Sequence, residues 1–306
     1  MNSAYKIAVF YYTQTGQLRR ILENLLQPLT EEGCVIVWKI IEPEHSFPFP
    51  WTKESFYQAF PESRLGIPCP VKPIDFSDIQ DANLVVIGYQ PWFLSPSIPV
   101  SSFLQSEQTA AYLKDKKVLT VAGTRNMWVT SHDVIEEYFK KAGAHRVGNI
   151  VLEDKHNNYI SVLTIFRWLI GGIKEKTKYL PQAGVSEADV AGVARLAPEV
   201  LMSLKTNDFS SLQERIVAKG GTVFHSYLYQ TEKVGHRMFG VFARWIVKKG
   251  AFNDPARWGR LKCFSLYLMF VIFVVSPIGT VFLYLLYPLR HKALSRARKN
   301  YIYLSN

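Results

Sequence analysis

The sequence has few cysteines and, near its end, almost no acidic residues, and each absence excludes a class of protein. The cysteines, Cys34, Cys69 and Cys263, share no close spacing, so we predict neither a disulfide framework nor a metal site, and a reducing compartment fits. The N-terminal residues MNSAYKIAVFYY lead directly into an apolar run. They lack the charged segment that precedes the apolar part of a secretory signal. We therefore expect the globular part of the chain to lie on the cytoplasmic side of the membrane.

The shortage of negative charge falls in residues 240–306. This segment holds eleven Lys and Arg residues but one acid, Asp254, for a net charge of +10. The whole chain carries +11, so residues 1–239 carry only +1 and have no general affinity for nucleic acid. The basic residues surround the most apolar stretch of the chain, and this pattern indicates membrane lipid as a partner.

Residues 263–289 contain no charged side chain and lie between Lys262 and Arg290. As a helix they would reach about 40 Å, enough to cross the hydrocarbon core of a bilayer. Pro277 lies mid-segment, where it removes a helical hydrogen bond. Because basic residues flank both ends and such residues favour the cytoplasmic side, we favour a re-entrant or in-plane hairpin over a single span. We expect the cytoplasmic membrane as the location.

Short apolar runs rich in β-forming residues alternate with amphipathic segments in the first two thirds of the chain. We predict buried strands at residues 6–12, 34–41, 84–88, 117–122 and 147–152. Helices are predicted at 18–29, 52–60, 98–104, 130–142 and 186–204, with Thr130 or Ser131 capping the fourth and Ser186 the fifth. Parallel strands alternating with helices predict a three-layer α/β sandwich.

The pattern divides the chain into four parts. Residues 1–205 form the predicted globular domain, with insertions at 42–82 and 155–180. Residues 206–262 form a helical linker with an amphipathic basic stretch, in which Met238, Val241, Phe242 and Trp245 share one face. Residues 263–289 are the membrane segment and residues 290–306 a basic tail.

Three polar or aromatic loops follow the first, third and fourth predicted strands, at the sheet edge where α/β proteins bind ligands. The first, residues 13–17, has two hydroxyls and a glycine before a helix N-terminus, which together form an anion site. It lacks Lys and Arg, so it favours a phosphate monoester over a nucleoside triphosphate. Taken alone, it could equally be an ordinary turn. The loops at 88–94 and 123–128 place aromatic side chains and backbone amides at the same edge.

These loops resemble the three flavin loops of flavodoxin-like proteins, through VFYYTQTGQLRRIL, VVIGYQPWFLSPSIPVSSFL and VAGTRNMW. The resemblance covers roughly residues 4–154 and a helix near 186–204, and implies strand order 2-1-3-4-5 with FMN as cofactor. It implies that the first loop holds the FMN phosphate, the second lines the ring and the third approaches the polar edge of the flavin. The residues so implied are Thr13, Gln14, Thr15, Gly16 and Gln17; Gln90, Pro91, Trp92 and Phe93; and Gly123, Thr124, Arg125 and Asn126. Gln17 departs from the family, which usually has a hydroxyl residue there.

The whole chain further resembles bacterial dialkylresorcinol condensing enzymes, which accompany the biosynthesis of aryl-polyene or flexirubin-type pigments. Condensation needs an activated nucleophile, and none of the three cysteines is placed as one. A flavin instead suits oxidation of an alkylated cyclohexanedione to a resorcinol, with a partner ketosynthase making the ring. The candidate bases are His45, His132, His156 and Tyr89.

Two further hypotheses remain open. The chain could be a flavodoxin-like quinone reductase that uses NAD(P)H at the membrane, or a flavin-free adaptor that docks a pigment synthase there. An apolar alkylated substrate requires a channel from the membrane to the flavin. We predict that aromatic and apolar residues of the two insertions line it: Phe47, Phe49, Trp51, Phe56, Phe60, Phe166, Trp168 and Leu169.

Overall fold

The computed structural model describes residues 5–285 and 287–303, so residues 1–4 of the predicted domain and 304–306 of the basic tail lie outside the described residues. Its centre is a parallel five-stranded sheet. The strands are β1 (Lys6–Tyr11), β2 (Val35–Ile40), β3 (Leu84–Tyr89), β6 (Lys117–Thr124) and β7 (His145–Glu153); β4 (Pro91–Trp92) and β5 (Ser95–Pro96) form a separate hairpin. The spatial order is β2-β1-β3-β6-β7. Numbered alone, the five sheet strands have the predicted order 2-1-3-4-5, which confirms the α/β prediction.

Helices cover both faces of the sheet. One face carries α1 (Gln17–Glu31), α7 (Glu187–Gly192), α8 (Ala197–Thr206) and α9 (Leu212–Ala218); the other carries α3 (Ile98–Gln105), α4 (Glu107–Leu113) and α5 (Val129–Ala142). Along β1, Ile7 and Val9 enter the first core while Ala8 and Phe10 enter the second. Successive side chains of β1 therefore point to opposite faces of the sheet, where they pack against the helices on each face.

Two helix predictions need correction. The predicted helix 186–204 is divided by a 3₁₀ turn at Val193–Leu196. Pro198 cannot donate a backbone hydrogen bond, and its ring crowds the carbonyl one turn earlier, which accounts for the division. The predicted cap Ser186 is confirmed, since its hydroxyl accepts the N–H of Asp189 at 3.0 Å.

The start of α5 also differs from the prediction, which named Thr130 or Ser131 as its cap. The helix follows Trp128, which makes no side-chain cap. Instead Glu232, 102 positions away, accepts the Thr130 N–H at 2.7 Å. A carboxylate at a helix N-terminus satisfies a free donor and complements the helix dipole.

The two insertions meet above the carboxyl edge of the sheet. The first contains α2 (Lys53–Leu65), which begins with a capping box between Thr52 and Ser55. The second contains α6 (Asn158–Gly171). The Trp51 N–H donates to the Leu169 carbonyl at 2.7 Å, so the insertions are joined directly.

The C-terminal region is helical. It comprises α10 (Ser226–Val247), α11 (Trp258–Phe270), a π turn at Val271–Val275, α12 (Ser276–Leu285) and α13 (Tyr287–Tyr303). The predicted hairpin at Pro277 is wrong, because the helix passes through the proline. Pro277 has no N–H and crowds the preceding turn, and the wider π turn directly before it accommodates both effects.

Pro255–Leu283 is the one helix, within the described ranges, that is long and apolar enough to cross a membrane. Its most apolar window has a mean hydropathy of 2.4 and is only 6% buried. Leu266, Ile278 and Leu285 are 73%, 67% and 73% exposed. An exposed apolar surface of this extent is suited to contact with lipid.

Candidate functional site

The first loop joins β1 to α1 at the switch point, where β1 lies between β2 and β3. Gly16 adopts the left-handed conformation, with φ at +78°, and no heavy atom lies within 4 Å of where its side chain would be. No side chain caps α1. Open space beside Gly16, at the start of a helix, leaves room for an anion at the helix N-terminus.

Two residues of this loop direct their side chains elsewhere. The Gln17 amide donates to the Val185 carbonyl at 2.9 Å and accepts the Val185 N–H at 3.1 Å. The Gln14 amide donates to the Pro48 carbonyl at 2.7 Å. The Gln17 N–H donates to Thr15 Oγ1 at 3.4 Å. The groups of this loop that can meet an anion are therefore the Gln14 N–H and the hydroxyls of Thr13 and Thr15.

The second loop folds into the hairpin β4–β5. At its tip, Phe93 and Leu94 both have positive φ, at 49° and 64°. Two-residue turns of this type favour asparagine and glycine, and a bulky residue there is strained by roughly 1–2 kcal/mol. Such strain occurs mostly at functional sites. The preceding Trp92 is half-buried and packs edge-on against Tyr12 and Trp51.

The third loop carries a cation without a carboxylate partner among the described residues. Arg125 donates from Nη1 to Asn158 Oδ1 at 2.6 Å and to Ser161 Oγ at 3.2 Å. Burial lowers the pKa of Arg125 to about 10, against a smaller opposing effect of Asp154. The guanidinium remains charged at neutral pH and can bind an anionic or enolate oxygen.

Each of the three loops contains a buried polar atom that has no hydrogen-bond partner within the described part of the chain. These atoms are Thr13 Oγ1, Gln90 Nε2 and Asn126 Oδ1. Leaving one such group unpaired costs about 1–3 kcal/mol. Three predicted ligand residues with this property, one in each loop, indicate a site whose polar groups are completed by a bound molecule.

A pocket of about 560 Å³ adjoins the second and third loops. Its walls come from those loops, α6, α10 and the α11–α12 helix. Lining residues include Trp51, Phe56, Phe93, Leu94, Arg125, Asn158, Phe166, Leu169, Met238, Ile272, Gly279 and Phe282. Of the eight residues predicted to line a channel, the pocket includes Trp51, Phe56, Phe166 and Leu169 but not Phe47, Phe49, Phe60 or Trp168. α10 and α12 supply the remaining walls, which agrees with the expectation that the 237–249 stretch and the membrane segment form an entry for an apolar substrate together with the second insertion.

The four candidate bases have different environments. His45 is exposed. Tyr89 and His132 are buried, and burial raises the pKa of Tyr89 and lowers that of His132 well below its usual value. His156 differs: its Nδ1 lies 2.6 Å from Oδ1 of the buried Asp154, a geometry that orients the ring. Its Nε2 has no partner within the described residues, so His156 is the candidate best suited to accept a proton.

Two charged groups were missed by the sequence analysis. His225 Nε2 lies 2.7 Å from Glu153 Oε1, and this hydrogen bond raises the pKa of His225. Burial raises the pKa of Glu232 to about 7, against hydrogen bonds from Thr130. Both partners lie far away along the chain, so no local motif could have revealed either contact. Within the described residues, no group of His, Cys, Asp and Glu could hold a metal ion.

No family model matches the chain, and no curated protein matches it either. Among solved structures it is similar to a flavoprotein from Lactobacillus acidophilus NCFM in complex with FMN, at 17% identity and TM-score 0.38, over 48% of this chain and 93% of that one. It is also similar to a flavodoxin from the domain Archaea, at 11% identity and TM-score 0.38, over 65% and 99% of the two chains. A third is a Streptococcus pneumonia TIGR4 flavodoxin, at 12% identity and TM-score 0.37, over 65% and 99%. The strand order β2-β1-β3-β6-β7, rather than any of these likenesses, establishes the fold.

Proposed function

We propose that the chain is an FMN-dependent oxidoreductase that acts on an apolar substrate at a membrane surface. The observation that carries the proposal is the set of unpartnered buried atoms in Thr13, Gln90 and Asn126, one in each loop. In α/β sheets with this strand order, ligands bind at the switch point beside the first strand, as FMN does in flavodoxin. The donors and acceptors there match the phosphate and the polar ring edge of a flavin.

The residues present fit this cofactor. Thr13, Thr15 and the amides at the start of α1 would hold the phosphate without a basic side chain. Trp92 and Phe93 would offer an aromatic wall to the ring, and Gln90 and Asn126 would offer a donor and an acceptor to its polar edge. When bound, FMN supplies hydride acceptance and donation.

For the substrate, we propose an alkylated cyclohexane-1,3-dione that is oxidised to a resorcinol. The reaction removes a hydride and a proton from adjacent ring carbons, and bound FMN would supply the hydride acceptor. His156, oriented by Asp154, would accept the proton. Arg125 would hold the acidic dione oxygen, and the apolar pocket would hold the alkyl chain. A ketosynthase would supply the dione.

The cysteines fit oxidation better than condensation. Cys34 is buried, and burial raises the pKa of its thiol. Burial likewise raises the pKa of Cys69, against a hydrogen bond from Ser102. A thiol with a raised pKa is a poor nucleophile at neutral pH.

The proposal is tested first by cofactor content. Thr15→Glu places a carboxylate where the phosphate would lie, and we expect the purified variant to lose bound FMN through like-charge repulsion. Thr15→Gln is the matched control, because it has the same size without the charge and should keep most of the flavin. Retention of FMN at wild-type stoichiometry in Thr15→Glu would show that the phosphate lies elsewhere.

The substrate class is tested by single turnover without oxygen. Mixing oxidised protein with a dialkylcyclohexanedione should bleach the flavin absorbance and yield one resorcinol per flavin. A protein that is bleached instead by NADH, and then reoxidised by a quinone, would be a quinone reductase. Protein that is purified without any flavin, and does not bind added FMN, would support an adaptor.

A further inference from the structure

The apolar helix α11–α12 is fixed to the globular domain at its N-terminal end. Directly before it, Arg257 is fully buried and forms a two-point ion pair with Glu62 of α2, at 2.8 and 2.9 Å. About two turns into the helix, the Phe264 ring stacks on Phe60 of α2 with centroids 3.6 Å apart. These contacts leave the start of the helix no freedom to leave the domain.

The chain beyond the helix is also fixed to the domain. In α13, the Tyr301 hydroxyl donates to Asp133 of α5 at 2.8 Å, and its ring stacks on Phe224. The next residue, Ile302, is buried, and its carbonyl accepts from Gln213 of α9 at 2.7 Å. The basic helix α13 therefore returns to the same body that holds Arg257.

Between these two attachments the helix lies lengthwise beside α10. Residues near its start pack on the C-terminal half of α10, as Phe264 does on Phe239 with centroids 5.3 Å apart. Residues near its end, Thr280 and Leu283, share a pocket with Tyr227 at the opposite end of α10. The two helices are antiparallel neighbours, and the side that faces away from α10 is left exposed.

We propose that α11–α12 lies in the plane of one leaflet of an anionic membrane, with both of its ends on the same side as the globular domain. A helix that crosses the bilayer would carry α13 to the far side, and the Tyr301 and Ile302 contacts would then be lost. The exposed residues Leu266, Ile278 and Val281 supply the apolar face. No acidic residue occurs between Asp254 and residue 303, while Arg260, Lys262, Arg290 and others flank that face, which favours anionic headgroups as the partner.

The proposal does not depend on the cofactor, because none of these residues belongs to the three loops. It also explains how an apolar ligand would reach the pocket. Gly279 and Phe282 of α12 line it, so an in-plane helix places one pocket wall at the depth of the acyl chains.

Topology is tested in cells with the full chain carrying Cys263→Ser, since Cys263 is the exposed native thiol. Single cysteines are added at Lys299 in α13 or at Glu31 in the domain, both exposed. With a membrane-impermeant maleimide, we expect the two sites to label alike, before and after the membrane is permeabilised. Labelling of only one of them in intact cells would establish a span and overturn the proposal.

The lipid contact is tested with purified protein and vesicles of phosphatidylcholine with or without phosphatidylglycerol. Leu266→Asp with Ile278→Asp should lower the vesicle partition coefficient at least about tenfold. Met202→Asp, at an exposed position of α8, is the matched control and should bind as wild type does. If the wild-type protein does not bind vesicles and instead forms a stable dimer, a second copy of the chain covers the apolar face and the proposal is wrong.

Discussion

Arg257 and Glu62 are separated by 195 positions and form an ion pair in which the guanidinium has no exposed surface. The pair joins the first insertion to the start of the apolar helix. Buried ion pairs add little net stability, but loss of one partner leaves an uncompensated buried charge.

We therefore expect Glu62→Gln or Arg257→Leu to lower the free energy of unfolding by about 3–5 kcal/mol. The double variant Glu62→Leu with Arg257→Leu should lose less than either single variant, because it buries no charge. Urea unfolding in mild detergent, followed by tryptophan fluorescence, measures this. The exposed pair Lys72–Glu42 is the control, and Lys72→Leu should cost less than about 1 kcal/mol. A single-variant cost equal to that control would show that water solvates the buried pair.

This contact marks the limit of what the sequence could predict. The sheet and its three loops follow from local signals, because each strand is a short apolar run and each loop begins where a run ends. The division of the predicted helix 186–204 also has a local signal, Pro198. The helical spacing of the apolar residues at 190–204 led us to predict one continuous helix instead. The attachments of Arg257, Tyr301 and Glu232 have no local signal, since each joins residues at least 100 positions apart.

The second prediction concerns pH and Glu232, whose pKa burial raises to about 7. A carboxyl with a raised pKa favours the folded state while it is protonated. Its contribution is fully present below the unfolded pKa, near 4.5, and is lost as the pH rises through about 7. Glu232→Gln should remove this loss, because an amide oxygen can still accept the Thr130 N–H without ionising.

The measurement is the free energy of unfolding of both proteins between pH 4.5 and 8. The difference, variant minus wild type, should grow as the pH rises. His132 has the opposite effect, because its lowered pKa makes the folded state less stable as the pH falls. Both proteins contain His132, so the subtraction removes its contribution. Glu44→Gln, on an exposed loop, serves as control. A difference curve that stays flat would mean that Glu232 is ionised throughout in the folded protein.

The third prediction uses two tryptophans of equal burial, Trp51 and Trp168, which are 4% and 5% exposed. Only Trp51 lines the pocket. Replacement of either by leucine removes a similar buried area and should destabilise the protein to a similar extent. Trp51→Leu should in addition weaken binding of a long-chain ligand relative to a short-chain one, and Trp168→Leu should not. Displacement of a fluorescent fatty acid by alkyl diones of two lengths measures the ratio. The same ratio in both variants would assign Trp51 to the core alone.

The last prediction concerns Arg125, a buried pocket cation that lacks a carboxylate partner in the described residues. If it binds the acidic oxygen of the ligand, Arg125→Gln removes a charge-assisted hydrogen bond worth about 1.5–3 kcal/mol, or roughly 10- to 150-fold in Kd. The loss should appear for a long-chain dione and be absent for its neutral enol ether, since only the dione carries negative charge. Arg167→Gln makes the same charge change on α6 outside the pocket and is the matched control. If both ligands lose affinity equally in Arg125→Gln, the guanidinium serves only to hold Asn158 and Ser161 in place, and the headgroup binds elsewhere in the pocket.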